Sequence, residues 1–149
     1  MSALEGQIVV VIGGSAGIGL ETARLARAEG AEVVITGRNR ERLEGAADEV
    51  GATRTAAFDA TDFPRLERFF ADLPTPIDHV LVTGPGPYYA PLAEFDFEAA
   101  RRDLEAHILL PLQVARNAVG RVRAGGTLLF MGGTGGRATA PTAPASGSV

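Results

Sequence analysis

Residues Gln7 to Glu21 read QIVVVIGGSAGIGLE. A β-branched run, Ile8 to Ile12, passes directly into a glycine-rich turn, and the turn passes directly into a helical pattern from Ile18. Strand, tight turn and helix in that order open a βαβ unit. Gly13, Gly17 and Gly19 stand in GxxxGxG spacing. A dinucleotide pyrophosphate needs backbone N–H groups aimed at it, no side chain in the way, and the positive end of a helix dipole. Gly13 permits the turn, Gly17 lets the backbone approach, and Gly19 lets the helix pack closely. Ser15 adds a hydroxyl within reach of a phosphate. A glycine-rich βα turn without a ligand is the plainer alternative. A Walker-type phosphate loop is excluded, because Leu20 and Glu21 follow Gly19 where that loop needs Lys and then Ser or Thr.

The rest of the chain repeats the theme. Gly30 stops the first helix, and Glu32 to Thr36 is a second apolar strand. Asn39 is placed to cap a helix with Leu43, Ala46, Ala47 and Val50 on one face, ended by Gly51. Thr53 to Phe58 is a third strand. Thr61 or Asp62 caps a helix with Phe63, Leu66, Phe69, Phe70 and Leu73 on one stripe, closed by Pro74 and Pro76. Ile77 to Thr83 is a fourth strand, with Asp78 and His79 at its start read as solvated or structural. A Gly/Pro-rich loop, Gly84 to Pro91, holds both tyrosines, Tyr88 and Tyr89. A long helix is expected from about Asp96 to Arg123. Its buried face would be Ala100, Leu104, Ile108, Pro111, Ala115 and Val119, with a kink at Pro111. Gly125-Gly126 then introduces a fifth strand, Thr127 to Met131.

Strands alternating with helices at this spacing give an α/β, doubly wound parallel sheet, Rossmann-like, in the order 3-2-1-4-5. The ligand crevice then lies at the carboxyl ends of strands 1 and 4, lined by loops from Gly13, Gly37, Asp59, Gly84 and Gly132. Residues 1–137 are expected to form an incomplete dinucleotide-binding domain. Residues 138–149, built of Ala, Thr, Pro, Ser, Gly and Val, read as a low-complexity, disordered tail.

Arg38 follows the second strand by one turn residue, about twenty residues after the glycine loop. An acid there would bind a ribose 2′-hydroxyl, whereas an Arg accommodates a 2′-phosphate, so NADP is favoured over NAD. Asp59 faces the same crevice, either to accept from an adenine amino group or as a plain helix-start carboxylate.

Composition narrows the partners. The chain has 149 residues, a net charge of -4 and 0 Cys, against nonspecific nucleic-acid or anionic-membrane binding and against disulfides or thiolate metal sites. There is no apolar run long enough to span a bilayer and no signal peptide, so a cytoplasmic protein is expected. All 14 basic residues are Arg. A mechanism that needs a lysine ammonium is closed to these residues alone.

The chain resembles the short-chain dehydrogenase/reductase family over roughly residues 6–137. VVVIGGSAGIG is similar to the family's TGxxxGIG cofactor loop, with Ile12 in place of the usual Thr. Val33 to Asn39, VVITGRN, resembles the segment of NADP-preferring members, and Phe58 to Asp62, FDATD, resembles the family's aspartate turn near the adenine. The resemblance implies cofactor contacts from Gly13, Ser15, Gly17, Ile18, Gly19, Arg38, Asp59 and Gly84. The family's NNAG motif is here Thr83-Gly84-Pro85-Gly86. The relay Asn falls on His107, which either relays a proton or is a buried structural His on the helix's inner face. Only Thr134 offers a hydroxyl near the family's catalytic Ser. The Tyr-x-x-x-Lys pair has no counterpart, and the C-terminal strands of the family's sheet are missing.

Two readings remain open. One is an NADP(H)-dependent oxidoreductase interconverting a small-molecule carbonyl and alcohol, truncated or frame-shifted after Arg137. The other is a non-catalytic NADP-binding module or inactive fragment. Either way, a sheet ending at the fifth strand leaves a hydrophobic edge, so poor solubility or a homo-oligomer is expected.

Overall fold

The computed structural model describes residues 2–132. Five parallel strands form one sheet in the order β3-β2-β1-β4-β5, the Rossmann-like order expected. The strands are β1 (Ile8–Ile12), β2 (Glu32–Gly37), β3 (Arg54–Ala57), β4 (Ile77–Val82) and β5 (Val122–Phe130). The helices are α1 (Gly17–Ala28), α2 (Arg40–Val50), α3 (Phe63–Asp72), α4 (Phe97–Leu104) and α5 (Leu110–Ala118).

Period-2 alternation divides the core between the two faces of the sheet. Val10 and Ile12 join Leu66, Phe70 and Val114 beneath α3 and α5, while Val9 and Val11 join Ala23, Leu43 and Ala46 beneath α1 and α2. The caps match the sequence: Asn39 Oδ1 accepts from Arg42 N at 2.9 Å, and Asp62 Oδ1 from Arg65 N at 3.2 Å. Gly51 ends α2 with φ +71°.

Two expectations fail in the second half. The helix from Asp96 to Arg123 is not continuous. A π-helical turn, Glu105–Leu109, separates α4 from α5, and Leu110 N donates to Glu105 O five residues back. Pro111 has no N–H for the His107 carbonyl, and its ring crowds that carbonyl, so the irregularity lies in the turn before the proline. The inserted turn rotates the apolar face. Leu110, Val114 and Ala118 are buried, whereas Leu104, Ile108 and Val119 are 58%, 55% and 80% exposed.

The helix also stops at Ala118, and β5 begins at Val122 rather than Thr127. Gly120 turns the chain at φ +75°, and Gly125, expected as a breaker, sits inside the strand at φ +80°. There the register against β4 shifts between Ile77 and His79, as at a β-bulge. Asp78 is buried rather than solvated. It accepts from Ile8 N at 2.8 Å and pairs with the Arg123 guanidinium. His79 hydrogen-bonds through Nε2 with Gln7 Oε1 at 2.7 Å and through Nδ1 with Thr127 Oγ1 at 3.1 Å. Both residues are structural and lie at the sheet end away from the glycine turn. Among the described residues, Leu129, Phe130 and Met131 on and after β5 are 52%, 41% and 47% exposed.

Candidate functional site

An open crevice of about 1500 Å³ lies over the carboxyl ends of β1, β2 and β4. It brings together Gly13, Ser15, Gly17, Ile18, Arg38, Asp59, Gly84 and His107. Of the sequence-derived set, Gly19 lies just behind it, and Thr134 falls outside the described residues, as does the 138–149 tail.

The glycine turn is built by close backbone approach. Gly13 has φ +91°, and a Cβ there would meet Thr83 Oγ1 and lie 2.7 Å from Thr83 O. A Cβ on Gly19 would run into the Gly13 carbonyl and fall 3.1 Å from Thr83 Oγ1. Gly19 therefore serves the turn's own closure as much as packing on the sheet. Thr83, marked in the sequence only as the first residue of the NNAG counterpart, ties the turn together: its Oγ1 donates to Gly13 O at 3.0 Å, with Ile12 O at 3.3 Å. Gly14, also missed, lets β2 come close, since its Cβ would lie 2.7 Å from Ile35 Cγ2. The GG pair at Gly13-Gly14 was the available signal.

Gly17 differs from these. Its φ is +55°, yet a Cβ would meet nothing within 4 Å. It borders open space at the start of α1. The residue before it, Ala16, has no side-chain cap to offer, and the first turn carries no acidic residue. The leading N–H groups of α1 are thus left for an anion. Gly84 is likewise open, with nothing within 4 Å of a Cβ.

At the end of β2, a Cβ on Gly37 would lie 2.8 Å from Ser15 Oγ, so Ser15 bridges the glycine turn and the β2 end. Arg38 and Arg42 are exposed and line the crevice there. Across from them is Asp59. Partial burial alone would raise its pKa. Hydrogen bonds from Thr61 N at 2.9 Å and Thr61 Oγ1 at 2.7 Å, with the Arg38 charge, outweigh this and hold it below the usual carboxylate value.

The opposite wall is the loop after β4. His107 is not a buried inner-face residue: it lies in the π turn with its ring facing the crevice, partly exposed. Its Nδ1 meets Asp103 O at 3.0 Å and Asp103 Oδ1 at 3.1 Å, and its Nε2 meets Pro85 O at 3.1 Å. Asp103 also accepts from Tyr88 N at 2.9 Å, and Tyr88 OH accepts from Asp96 N at 2.9 Å. The Gly84–Pro91 loop is thereby tied to α4 and the π turn, and the half-buried Tyr88 ring is tilted against Phe95. Asp103 escaped the sequence reading, although it stands one helical turn before His107.

A glycine turn running into an uncapped helix start, opposite a tied loop at the point where strand order reverses, defines a Rossmann-like, doubly wound architecture with its crevice at the switch point. Sequence comparison agrees: residues 7–145 match the short chain dehydrogenase family, and the chain belongs to that family. It is 29% identical over 131 residues to a short-chain dehydrogenase/reductase, ATR9, of Stachybotrys chlorohalonatus, covering 79% of this chain and 52% of that one. It is 45% identical over 62 residues to an NADP-dependent (R)-specific alcohol dehydrogenase of Lentilactobacillus kefiri, 40% of this chain and 25% of that one. A Serratia marcescens short-chain dehydrogenase/reductase double mutant superposes with a TM-score of 0.83 at 21% identity, over 91% of this chain and 59% of that one. The chain thus spans about half the length of the relatives it matches along most of its own. Among the described residues, no helix is long and apolar enough to cross a membrane.

Proposed function

We propose that this chain carries the cofactor half of an NADP(H)-dependent oxidoreductase that interconverts a carbonyl and an alcohol. The observation that carries the reading is the open face of Gly17 at the uncapped start of α1, within one crevice with Arg38. A pyrophosphate there takes the leading N–H groups of α1, with Gly13 and Gly19 closing the turn and Ile18 beside it. The Ser15 hydroxyl and the Arg38 guanidinium stand at the β2 end, where a 2′-phosphate is received, and no carboxylate replaces Arg38 there. That distinction favours NADP, in keeping with the NADP-dependent Lentilactobacillus relative. Asp59, kept ionised by Thr61, is set to accept from an adenine amino group. Gly84 keeps the opposite wall open for the second ribose. Bound nicotinamide supplies the hydride chemistry. His107, on the crevice side, is the described candidate for relaying a proton, and Thr134 is the first hydroxyl after β5 in sequence.

A second reading, a non-catalytic NADP-binding module, is favoured by one feature: these 149 residues contain no Lys and therefore no Tyr-x-x-x-Lys pair. Calorimetric titration with NADPH and NADH tests the common part, and NADPH oxidation over a panel of carbonyl compounds separates the two. Tight NADPH binding without turnover selects the module. Turnover abolished by Gly17→Arg selects the enzyme. No binding of either nucleotide refutes both.

A further inference from the structure

The outer edge of the sheet carries a feature that the proposed chemistry leaves unused. β3 ends the strand order and pairs only with β2. Thr53 N donates to Val33 O at 2.8 Å, toward β2. Thr53 precedes β3; within the strand, Phe58 N donates to Gly37 O at 3.0 Å and Arg54 and Ala56 stand opposite Val34 and Thr36, so by alternation Arg54 and Ala56 bond to β2 while Thr55 and Ala57 turn their N–H and C=O groups outward, the Ala57 carbonyl toward Arg65. Beyond that edge, α2 and α3 flank a groove of about 500 Å³ whose floor includes Leu43, Phe58 and Phe69. Four exposed arginines line it: Arg40, Arg54, Arg65 and Arg68.

Among the described residues, none of the four lies within 4.0 Å of a carboxylate oxygen. Arg54 Nη1 donates to Asp72 O at 3.0 Å and Arg65 Nη2 to Ala57 O at 3.1 Å. Backbone carbonyls therefore hold two of the guanidiniums at the edge while leaving their charge uncompensated. Glu44 and Asp72 also line the groove, two carboxylates against four guanidiniums, in a chain whose net charge is -4. The groove shares only Phe58 with the crevice, so its occupation is independent of the proposed activity.

We propose that this groove docks an extended acidic segment of a partner protein, which adds a strand to the free edge of β3 and sets its carboxylates against the arginines. The open N–H and C=O groups supply main-chain pairing, and the apolar floor takes alternate side chains. Arg–carboxylate hydrogen bonds fix polarity and charge. A second copy of this chain, paired edge to edge, would bring arginine-lined edges together, and like charges on adjoining strands repel. A bare anion would use the charges but leave the edge and the floor unoccupied.

The test uses the full chain and a short, capped, fluorescein-labelled peptide of alternating glutamate and valine, read by anisotropy at low salt. A lysine–valine peptide, inorganic phosphate and oligothymidylate are the comparators. Binding of the glutamate–valine peptide is expected to weaken about tenfold in Arg54→Glu/Arg68→Glu, and by a similar factor in Thr55→Pro, which removes an outward N–H. Amide exchange at Thr55 and Ala57 in the unmodified chain is expected to slow when the peptide binds, a readout that survives if Thr55→Pro fails to fold. Absence of peptide binding, equal binding of the lysine–valine peptide, tighter binding of oligothymidylate, or displacement by phosphate with the exchange at Thr55 unchanged would each overturn the proposal.

Discussion

Gly13 and Gly17 both adopt positive φ, but only Gly13 is crowded, and this separates fold from ligand in a single pair of substitutions. Alanine in the left-handed region costs about 1–2 kcal/mol. Loss of unfolded-chain freedom on replacing glycine returns about 0.4–1 kcal/mol. At Gly17, where a Cβ meets nothing within 4 Å, the net cost is then about 1 kcal/mol or less. At Gly13 the same Cβ overlaps the Thr83 hydroxyl and lies 2.7 Å from Thr83 O, so the ends of β1 and β4 must part. Overpacking of that kind adds about 1–3 kcal/mol, for a total near 3 kcal/mol. With a urea m-value of about 2 kcal/mol/M, Gly13→Ala should lower the unfolding midpoint by roughly 1.5 M, and Gly17→Ala by less than about 0.5 M. NADPH affinity should run the other way per unit of stability lost. The Gly17 methyl enters the space given to the pyrophosphate, and Kd should rise about tenfold or more while the chain stays folded. Thr83→Ala should recover part of the Gly13→Ala loss, because it removes the hydroxyl but not the carbonyl. Equal midpoints for the two variants would refute the close approach of β1 and β4. Unchanged NADPH binding by Gly17→Ala would refute the placement of the pyrophosphate.

Arg38→Asp should weaken NADPH by about tenfold or more and improve NADH, which paired titrations measure directly. Phe70→Ala removes a fully buried ring of α3 and should cost about 3–5 kcal/mol, a drop of roughly 1.5–2.5 M in the urea midpoint read by circular dichroism. At Asp78, burial alone would raise the pKa. The Ile8 N–H and the Arg123 guanidinium, with the nearby His79, prevail and hold it below the usual value. A lowered folded-state pKa gives stability that is present above the unfolded value of about 4 and lost as pH falls through the folded value. Urea midpoints measured from neutral into the acid range should therefore fall less steeply for Asp78→Asn than for the parent. Asp78→Ala should cost about 2 kcal/mol at neutral pH, because Arg123 is partly solvated and recovers some hydration.

What could be read from the residues was what nearest neighbours decide. The β-branched run before Gly13, the stripe Leu66, Phe69, Phe70, and the caps Asn39 and Asp62 are local patterns, and each lies where its period placed it. Strand order followed because parallel strands joined by right-handed crossovers leave few arrangements. The failures share one cause: the deciding partner is distant in sequence. Nothing in Arg121 to Ala124 marks a strand. The segment is extended because Ile77 N donates to Arg121 O at 2.8 Å and because Asp78, 45 residues earlier, holds Arg123. Gly125 looked like a terminator because a helix-to-strand boundary and a β-bulge ask for the same residue, and only the neighbouring strand distinguishes them.

The same holds for the site. The glycine spacing marked Gly13, Gly17 and Gly19, but it could not show that Gly13 and Gly19 are occupied by backbone while Gly17 is open. Nor could it show that His107 would be aimed at the crevice. Its direction is set by a π turn, and that turn arises from a proline four residues further on, which takes the hydrogen-bond partner from the His107 carbonyl. The residue aimed at the crevice and the residue that redirects the helix thus form one local unit. Pro111→Ala should restore an ordinary α-helical turn, move His107 away from Pro85 O, and release the Gly84–Pro91 loop. Faster amide exchange confined to that loop would bear this out. Unchanged loop exchange in a correctly folded Pro111→Ala chain would mean that Asp103 and Tyr88 hold the loop without His107.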